Sequence, residues 1–212
     1  NTKENPFDHP EIKEAMDLCI SCKGCKSECP SNVDMATLKA EFQYQYHKNK
    51  SRSLRDKLIA NNAKLNKIAS KFPSIHNFFI KQNWFKIGLG ITKHRSLPKL
   101  QSQTLRTWFS FYTQTSKPRK VYLFCDEYTN YYDVEIGKKA IQLLDKLGYE
   151  VLMMNHEESG RAYISKGFLD EAKNIANANV NQFKNLVSEN IPLIGIEPSA
   201  ILGFRDEYLN LV

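Results

Sequence analysis

The chain has no apolar stretch near the eighteen or so residues a membrane-spanning helix needs. Its strongest candidates, HNFFI and WFKIGLGI, are short and interrupted. A soluble protein, or at most a peripheral one, is expected. Glycine is missing where a dinucleotide would require it: the turn after the first predicted strand reads CDEYTNYYD, without a glycine-rich fingerprint. No nucleophile elbow, P-loop or Ser/His/Asp pattern is present, which removes the common hydrolase and phosphoryl-transfer classes. His9, His47, His76 and His94 share no motif spacing. Acidic residues nearly vanish from the middle of the chain. Residues 48–120 carry 17 Lys and Arg against one acid, Asp56, whereas the rest carries 13 basic and 22 acidic residues. Such a basic span between acidic ends suits an acidic partner surface or anionic lipid. The absence of any nucleic-acid motif, and the scattering of the charges along helical periods, argue against nucleic acid.

Cysteine is rare and concentrated. Four of five lie within residues 19–29, in CISCKGCKSECP. Cys19, Cys22, Cys25 and Cys29 follow C-x2-C-x2-C-x3-C-P, the spacing of bacterial ferredoxin-type ligation to a [4Fe–4S] cluster. Thiolates on one short loop can reach several corners of a cubane without long-range organisation. Gly24 lets the backbone bend between the second and third ligands, and Pro30 keeps the loop from running straight into a helix. A four-cysteine zinc site normally splits into two C-x2-C pairs a dozen or more residues apart. Disulfides require an oxidising compartment, and no signal peptide is recognisable. Reduced, clustered thiols predict a cytoplasmic protein, or one peripheral on the cytoplasmic membrane face. In two-cluster ferredoxins the fourth cysteine ligates the other cluster. With one run, in a chain opening on Asn1, a sister motif is expected upstream in a longer protein.

The fold class expected is α+β overall: an α-helical, ferredoxin-like cysteine module (1–47), a basic helical connector (48–119) and a truncated α/β parallel-sheet, Rossmann-like module (120–212). HPEIKEAMDLC reads as a short helix with Ile12, Ala15, Met16 and Cys19 at helical spacing. Ser31 or Asn32 reads as the cap of the next helix, striped by Met35, Leu38 and Phe42. In the connector, Leu54, Leu58, Leu65 and Ile68 recur near the 3.6 period, and the dense aromatics from Phe72 to Tyr112 are expected chiefly as core. From Lys120 the pattern becomes strand (121–125), helix (133–148), strand (149–154), helix (167–189), strand (191–198), which predicts a parallel sheet with crossover helices. Its ligand edge would hold Cys125 and Asp126, Asn155 to Gly160, and Glu197 to Ala200. His156 with Glu157 and Glu158 is either a carboxylate–imidazole metal site or a solvated loop. Tyr128, Tyr131 and Tyr132 crowd the first turn as cleft-lining or packing residues.

CISCKGCKSECPSNVDMATLKAEF followed by a β/α module resembles the iron–sulfur part of flavin-linked 2-hydroxy-acid dehydrogenases. The relatives include the glycolate oxidase iron–sulfur subunit and the iron–sulfur component of anaerobic glycerol-3-phosphate dehydrogenase. Single-chain versions, in which a flavin domain precedes the cluster module, are the most similar. The resemblance implies FAD on a part of the parent chain upstream of this one, and electrons passing from reduced flavin through clusters to a quinone or another acceptor. The α/β module resembles the family's cysteine-rich repeat but lacks its ligands: Glu158-Ser159-Gly160-Arg161 stands where Cys-Cys-Gly-Arg is expected, and Ala200 where a cysteine would follow Glu-Pro-Ser. Metal binding is therefore expected at Cys19, Cys22, Cys25 and Cys29 and not in the α/β module. The alternative reading is a non-catalytic docking module that joins flavin domain, acceptor and membrane surface.

Overall fold

The computed structural model describes residues 7–212, so the first six residues of the expected cysteine module lie outside it. Helices α1 (Pro10–Leu18), α2 (Gly24–Glu28) and α3 (Met35–Tyr46) form the N-terminal part. The basic span holds α4 (Leu54–Ala60), α5 (Asn62–Ala69), α6 (Pro73–Phe79), α7 (Asn83–Gly88) and α8 (Leu105–Phe109). Then follow β1 (Arg119–Phe124), α9 (Glu127–Tyr131), α10 (Val134–Lys146), β2 (Tyr149–Leu152), α11 (Arg161–Ser165), α12 (Leu169–Phe183), β3 (Leu193–Gly195) and α13 (Pro198–Ile201), with 3-10 turns at Leu202–Phe204 and Tyr208–Asn210.

The three strands make one parallel sheet in the order β2-β1-β3, with Val121 opposite Val151 and Leu123 opposite Ile194. The central strand is apolar on both faces because helices cover both. Successive side chains alternate. Leu123 and Cys125 pack with Leu105, Val134, Ile141 and Val151 on one side. Phe124 packs with Phe183 and Ala200 on the other, with Tyr122, Leu193 and Ile201 against them. Helix α10 buries Val134, Gly137 and Ile141, one face at helical spacing, and α12 buries Ala172, Ala176, Asn179 and Phe183 in the same way. A third cluster, Ala40, Ala60, Tyr163, Ile164 and Ala172, ties α3 and α4 to α11 and α12.

Several local expectations change. The cap of α3 is Asp34, not Ser31 or Asn32: its carboxylate accepts from the Ala36 and Thr37 amides, placing the anion at the helix N-terminus. Asn32 instead turns through φ +53°. The cysteine loop contains the one-turn helix α2. Helix α1 buries none of its residues, and the buried face of α3 is Ala36, Ala40 and Phe42 while Leu38 is exposed. Leu54, Leu65 and Ile68 face solvent, as do Phe72, Phe78, Phe79 and Trp84. Only the last aromatics of the basic span act as core: Trp108, Phe109 and Tyr112 pack beside the fully buried Leu105 against the sheet. Helix α8, read as part of a connector, thus belongs to the sheet's own core. Gly137 permits this approach, because a Cβ there would stand 2.4 Å from Leu105 Cδ2.

Candidate functional site

Cys19 caps the C-terminus of α1, and its Sγ accepts from the Ser21 amide at 3.4 Å. Cys22 and Cys25 are exposed, with Cys25 inside α2, while Cys29 caps that helix and is half-buried like Cys19. The chain reverses direction through three non-glycine residues in the left-handed region, Ser21 (φ +57°), Lys23 (φ +61°) and Asn32 (φ +53°). Such residues are sparse in proteins and persist where surroundings over-determine them. Here the surroundings are ionic. Lys23 Nζ lies 2.7 Å from Glu207 and 3.6 Å from Asp206; Lys26 is 3.5 Å from Asp34; Lys39 donates to the Cys19 carbonyl.

The Cys29 thiol is held below its ordinary pKa, first by the Val33 amide and then by that of Ser31, against a smaller opposing effect of burial. Backbone N–H groups aimed at a sulfur stabilise its thiolate, the form that ligates metals. The donor chemistry of the four cysteines therefore suits a thiolate-held cluster. Their placement is looser: among the described residues no three Cys, His, Asp or Glu side chains converge to hold a metal ion. The four thiols share one short segment without being drawn onto a common centre.

The second feature is a cavity of about 550 Å³ at the carboxyl ends of β1 and β2, the usual ligand edge of a parallel sheet. Helix α5 supplies Lys64 and Lys67 to one wall and α12 supplies Glu171, Asn174 and Ile175 to the other; Cys125, Glu127 and His156 to Glu158 line the floor. Its organiser is Arg106 of α8. The guanidinium donates to the carbonyls of Met154 (2.9 Å), His156 (3.2 Å) and Cys125 (3.4 Å), and to His156 Nε2 at 3.0 Å. In sequence Arg106 is one basic residue among seventeen, with no signal distinguishing it.

His156 is neither of the two things expected of it. Its ring stacks on Phe124 at 4.3 Å. Nε2 accepts from the Cys125 amide at 3.0 Å and from Arg106, which fixes the proton on Nδ1, where it is donated to the Glu157 carbonyl at 2.6 Å. Both nitrogens are consumed inside the protein. Burial, and then the Arg106 charge, lower its pKa to about 3, so it is a neutral structural linker and not a metal ligand or solvated loop residue.

Where the cysteine-rich signature would stand, hydrogen bonds hold the chain. Ser159 donates its amide (3.0 Å) and hydroxyl (2.7 Å) to the buried Glu127 carboxylate. The fully buried Asn179 accepts from the Glu157 amide at 3.0 Å and donates to the Glu158 carbonyl at 2.8 Å, and Tyr208 donates to the Ser159 carbonyl at 2.9 Å. Burial pushes the Cys125 thiol up to about 12, leaving it a neutral core residue. Ala200 is buried beside Phe124 and Phe183. Of the three tyrosines, Tyr131 lines the cavity, while Tyr132 donates to Asn66 at 3.0 Å.

Comparison with curated proteins adds identity of another kind. The chain is 31% identical to a D-2-hydroxyglutarate dehydrogenase of Pantoea ananatis, over 98% of this chain and 22% of that protein. It is 30% identical to the D-2-hydroxyglutarate dehydrogenase of Escherichia coli K12, over 98% of this chain and 22% of that protein. The relatives are dehydrogenases. A further one is a component of the anaerobic glycerol-3-phosphate dehydrogenase of Escherichia coli K12, its third-lettered polypeptide, 28% identical over 84% of this chain and 47% of that polypeptide. The chain thus spans about a fifth of the length of the hydroxyglutarate dehydrogenases and about half that of the glycerol-3-phosphate dehydrogenase component. No family model matches it, and no solved structure does.

Proposed function

We propose that the chain is the electron-transfer segment of a flavin-dependent 2-hydroxy-acid dehydrogenase. Electrons from a substrate-reduced FAD, bound on a preceding part of the parent chain, leave through a [4Fe–4S] cluster toward a quinone or another acceptor. Cys19, Cys22, Cys25 and Cys29 hold the cluster. When bound, it supplies one-electron transfer, while hydride chemistry belongs to the flavin. The observation that carries this reading is the C-x2-C-x2-C-x3-C-P run with amides directed at Cys19 and Cys29, in a chain similar from end to end to D-2-hydroxyglutarate dehydrogenases. The residues around the thiols have definable parts. The backbone amides of Ser21, Ser31 and Val33 favour the thiolates. Lys23, Lys26 and Lys39 keep the loop cationic, which offsets the negative charge of four thiolates.

The substrate pocket and flavin site lie on the parent in this reading, and the α/β module serves as a metal-free body against which the cysteine loop is braced. Its apolar strands and the bonds from Glu127, Asn179 and Tyr208 support it without an inorganic staple. The test is anaerobic iron–sulfur reconstitution of the full-length parent, with iron and acid-labile sulfide counted. Cys22→Ser should lower the iron content markedly, whereas Cys125→Ser should leave it unaltered. Stoichiometric zinc with no iron would sink the proposal, and iron lost on Cys125→Ser would move the cluster into the cavity.

A further inference from the structure

We propose that helices α5 to α7 form a docking face for an anionic lipid bilayer. Six large apolar residues across these helices, Ile68, Phe72, Ile75, Phe78, Trp84 and Ile87, are each between 58% and 66% exposed. They form a surface and not isolated points. Phe78 and Trp84 both pack edge-on against Phe79, at 5.7 and 6.2 Å between centroids, and Ile68, Phe72 and Ile75 lead up to them at helical spacing. Exposed apolar surface of this extent marks an interaction site, since scattered single residues are the norm.

The charges around the face choose the occupant. Residues 57–99 contain eight Lys, one Arg and no acid. Lys67, Lys71 and Lys81 are exposed between the apolar residues. The buried Lys86 donates to the carbonyls of Lys93 (3.3 Å) and Arg95 (3.1 Å), holding those two exposed cations beside Ile87. The nearest acid, Asp56, is already paired with Lys166 at 2.8 Å. Protein interfaces are depleted of lysine and enriched in arginine. A lipid headgroup layer asks for the opposite: compact cations for the phosphates, and Trp, Phe and Ile to enter the acyl boundary. The short helices, each of little more than two turns or fewer, present these groups on a surface and do not cross a membrane; among the described residues no helix is long and apolar enough to do so. The inference is independent of the iron reading, because none of the four cysteines lies in this segment.

The experiment is vesicle flotation of the full chain, using phosphatidylcholine vesicles with and without phosphatidylglycerol, at low and at physiological salt. The expected result is flotation with the anionic vesicles, weakened at the higher salt, where screening shortens electrostatic reach to about 8 Å. In a Trp108→Phe background, Trp84 emission should shift to the blue on binding. The charge-reversed pair Lys71→Glu/Lys81→Glu and the polar pair Phe78→Ser/Trp84→Ser should each weaken binding at least tenfold. All four side chains are exposed, so an unchanged melting curve should accompany these losses. Failure to float with anionic vesicles at low salt overturns the proposal. So does capture by soluble polyglutamate that matches capture by vesicles and survives Phe78→Ser/Trp84→Ser, which would assign the face to an acidic protein. Iron content does not enter any of these outcomes.

Discussion

Lys23 Nζ stands 2.7 Å from the Glu207 carboxylate. The residue between the second and third cysteines of the run is thereby tied to the C-terminal turn of the chain. Arg161, which follows the cavity loop, pairs with the same carboxylate. One acidic side chain, largely buried, therefore links the cysteine loop to the loop that replaces the cysteine-rich signature. Glu207→Ala leaves two cations without their partner at a part-buried site, where hydrogen bonds to charged groups are worth roughly 1.5–3 kcal/mol. Urea denaturation should show a loss of about 2 kcal/mol, and limited proteolysis should cut faster between Cys19 and Cys29. Glu207→Gln, which keeps a hydrogen-bonding side chain, should lose less. Equal proteolysis in all three proteins would remove the tie.

Asn179 is fully buried and holds the cavity loop at the Glu157 amide and the Glu158 carbonyl, with Tyr208 as a third partner. Asn179→Leu is close in size but leaves those groups unsatisfied, each at a cost of about 1–3 kcal/mol. A destabilisation of at least about 3 kcal/mol is expected, with hydrogen exchange at the amides of Glu157 and Ser159 accelerated more than at β1. Uniform acceleration throughout the chain would deny the loop its own clamp.

Alanine stabilises most helix interiors relative to glycine by roughly 1 kcal/mol. Gly137 in α10 should do the reverse, because its new Cβ would meet Leu105 at 2.4 Å in a fully buried contact. Overpacking of this kind costs about 1–3 kcal/mol. Chemical denaturation of Gly137→Ala, Leu105→Ala and the double variant should reveal a strong coupling, with Gly137→Ala partly relieved when Leu105 is shortened. Additive losses would mean that α8 can move away freely.

Two groups beside the cavity titrate in opposite senses. The Glu158 carboxyl is pushed up to about 7, first by burial and then by Glu127, with Lys64 opposing. The folded state therefore binds the proton more tightly than the unfolded chain, and stability from this group falls as pH rises from about 4.5 to 7. His156, lowered to about 3, takes up its proton more readily when unfolded, so its contribution is lost as pH falls from about 6.5 toward 3. Melting temperatures followed across this range should show the acid-side slope flattened in His156→Gln and the neutral-side slope flattened in Glu158→Gln. Unchanged slopes in the two variants would show that other groups govern the profile.

The sequence by itself determined what depends on local chemistry. The cysteine spacing is a covalent fact, and apolar runs such as VYLF and PLIGI announce strands because only a buried parallel sheet suits them; the strands lie at Arg119–Phe124, Tyr149–Leu152 and Leu193–Gly195. Helical periodicity in DVEIGKKAIQLLDK marked α10 for the same reason. Periodicity does not say what covers a face, however. Ile68, Phe72 and Phe78 read as core and lie in solvent, whereas Trp108 and Tyr112, from the same aromatic-rich span, pack on the sheet. Only the tertiary structure decided the cavity. Arg106 meets Cys125, Met154 and His156 across 19 to 50 residues, and Glu127 meets Ser159 across 32. Partners so far apart leave no mark on local pattern, because what joins them is the closing of strand ends and helix faces around one space.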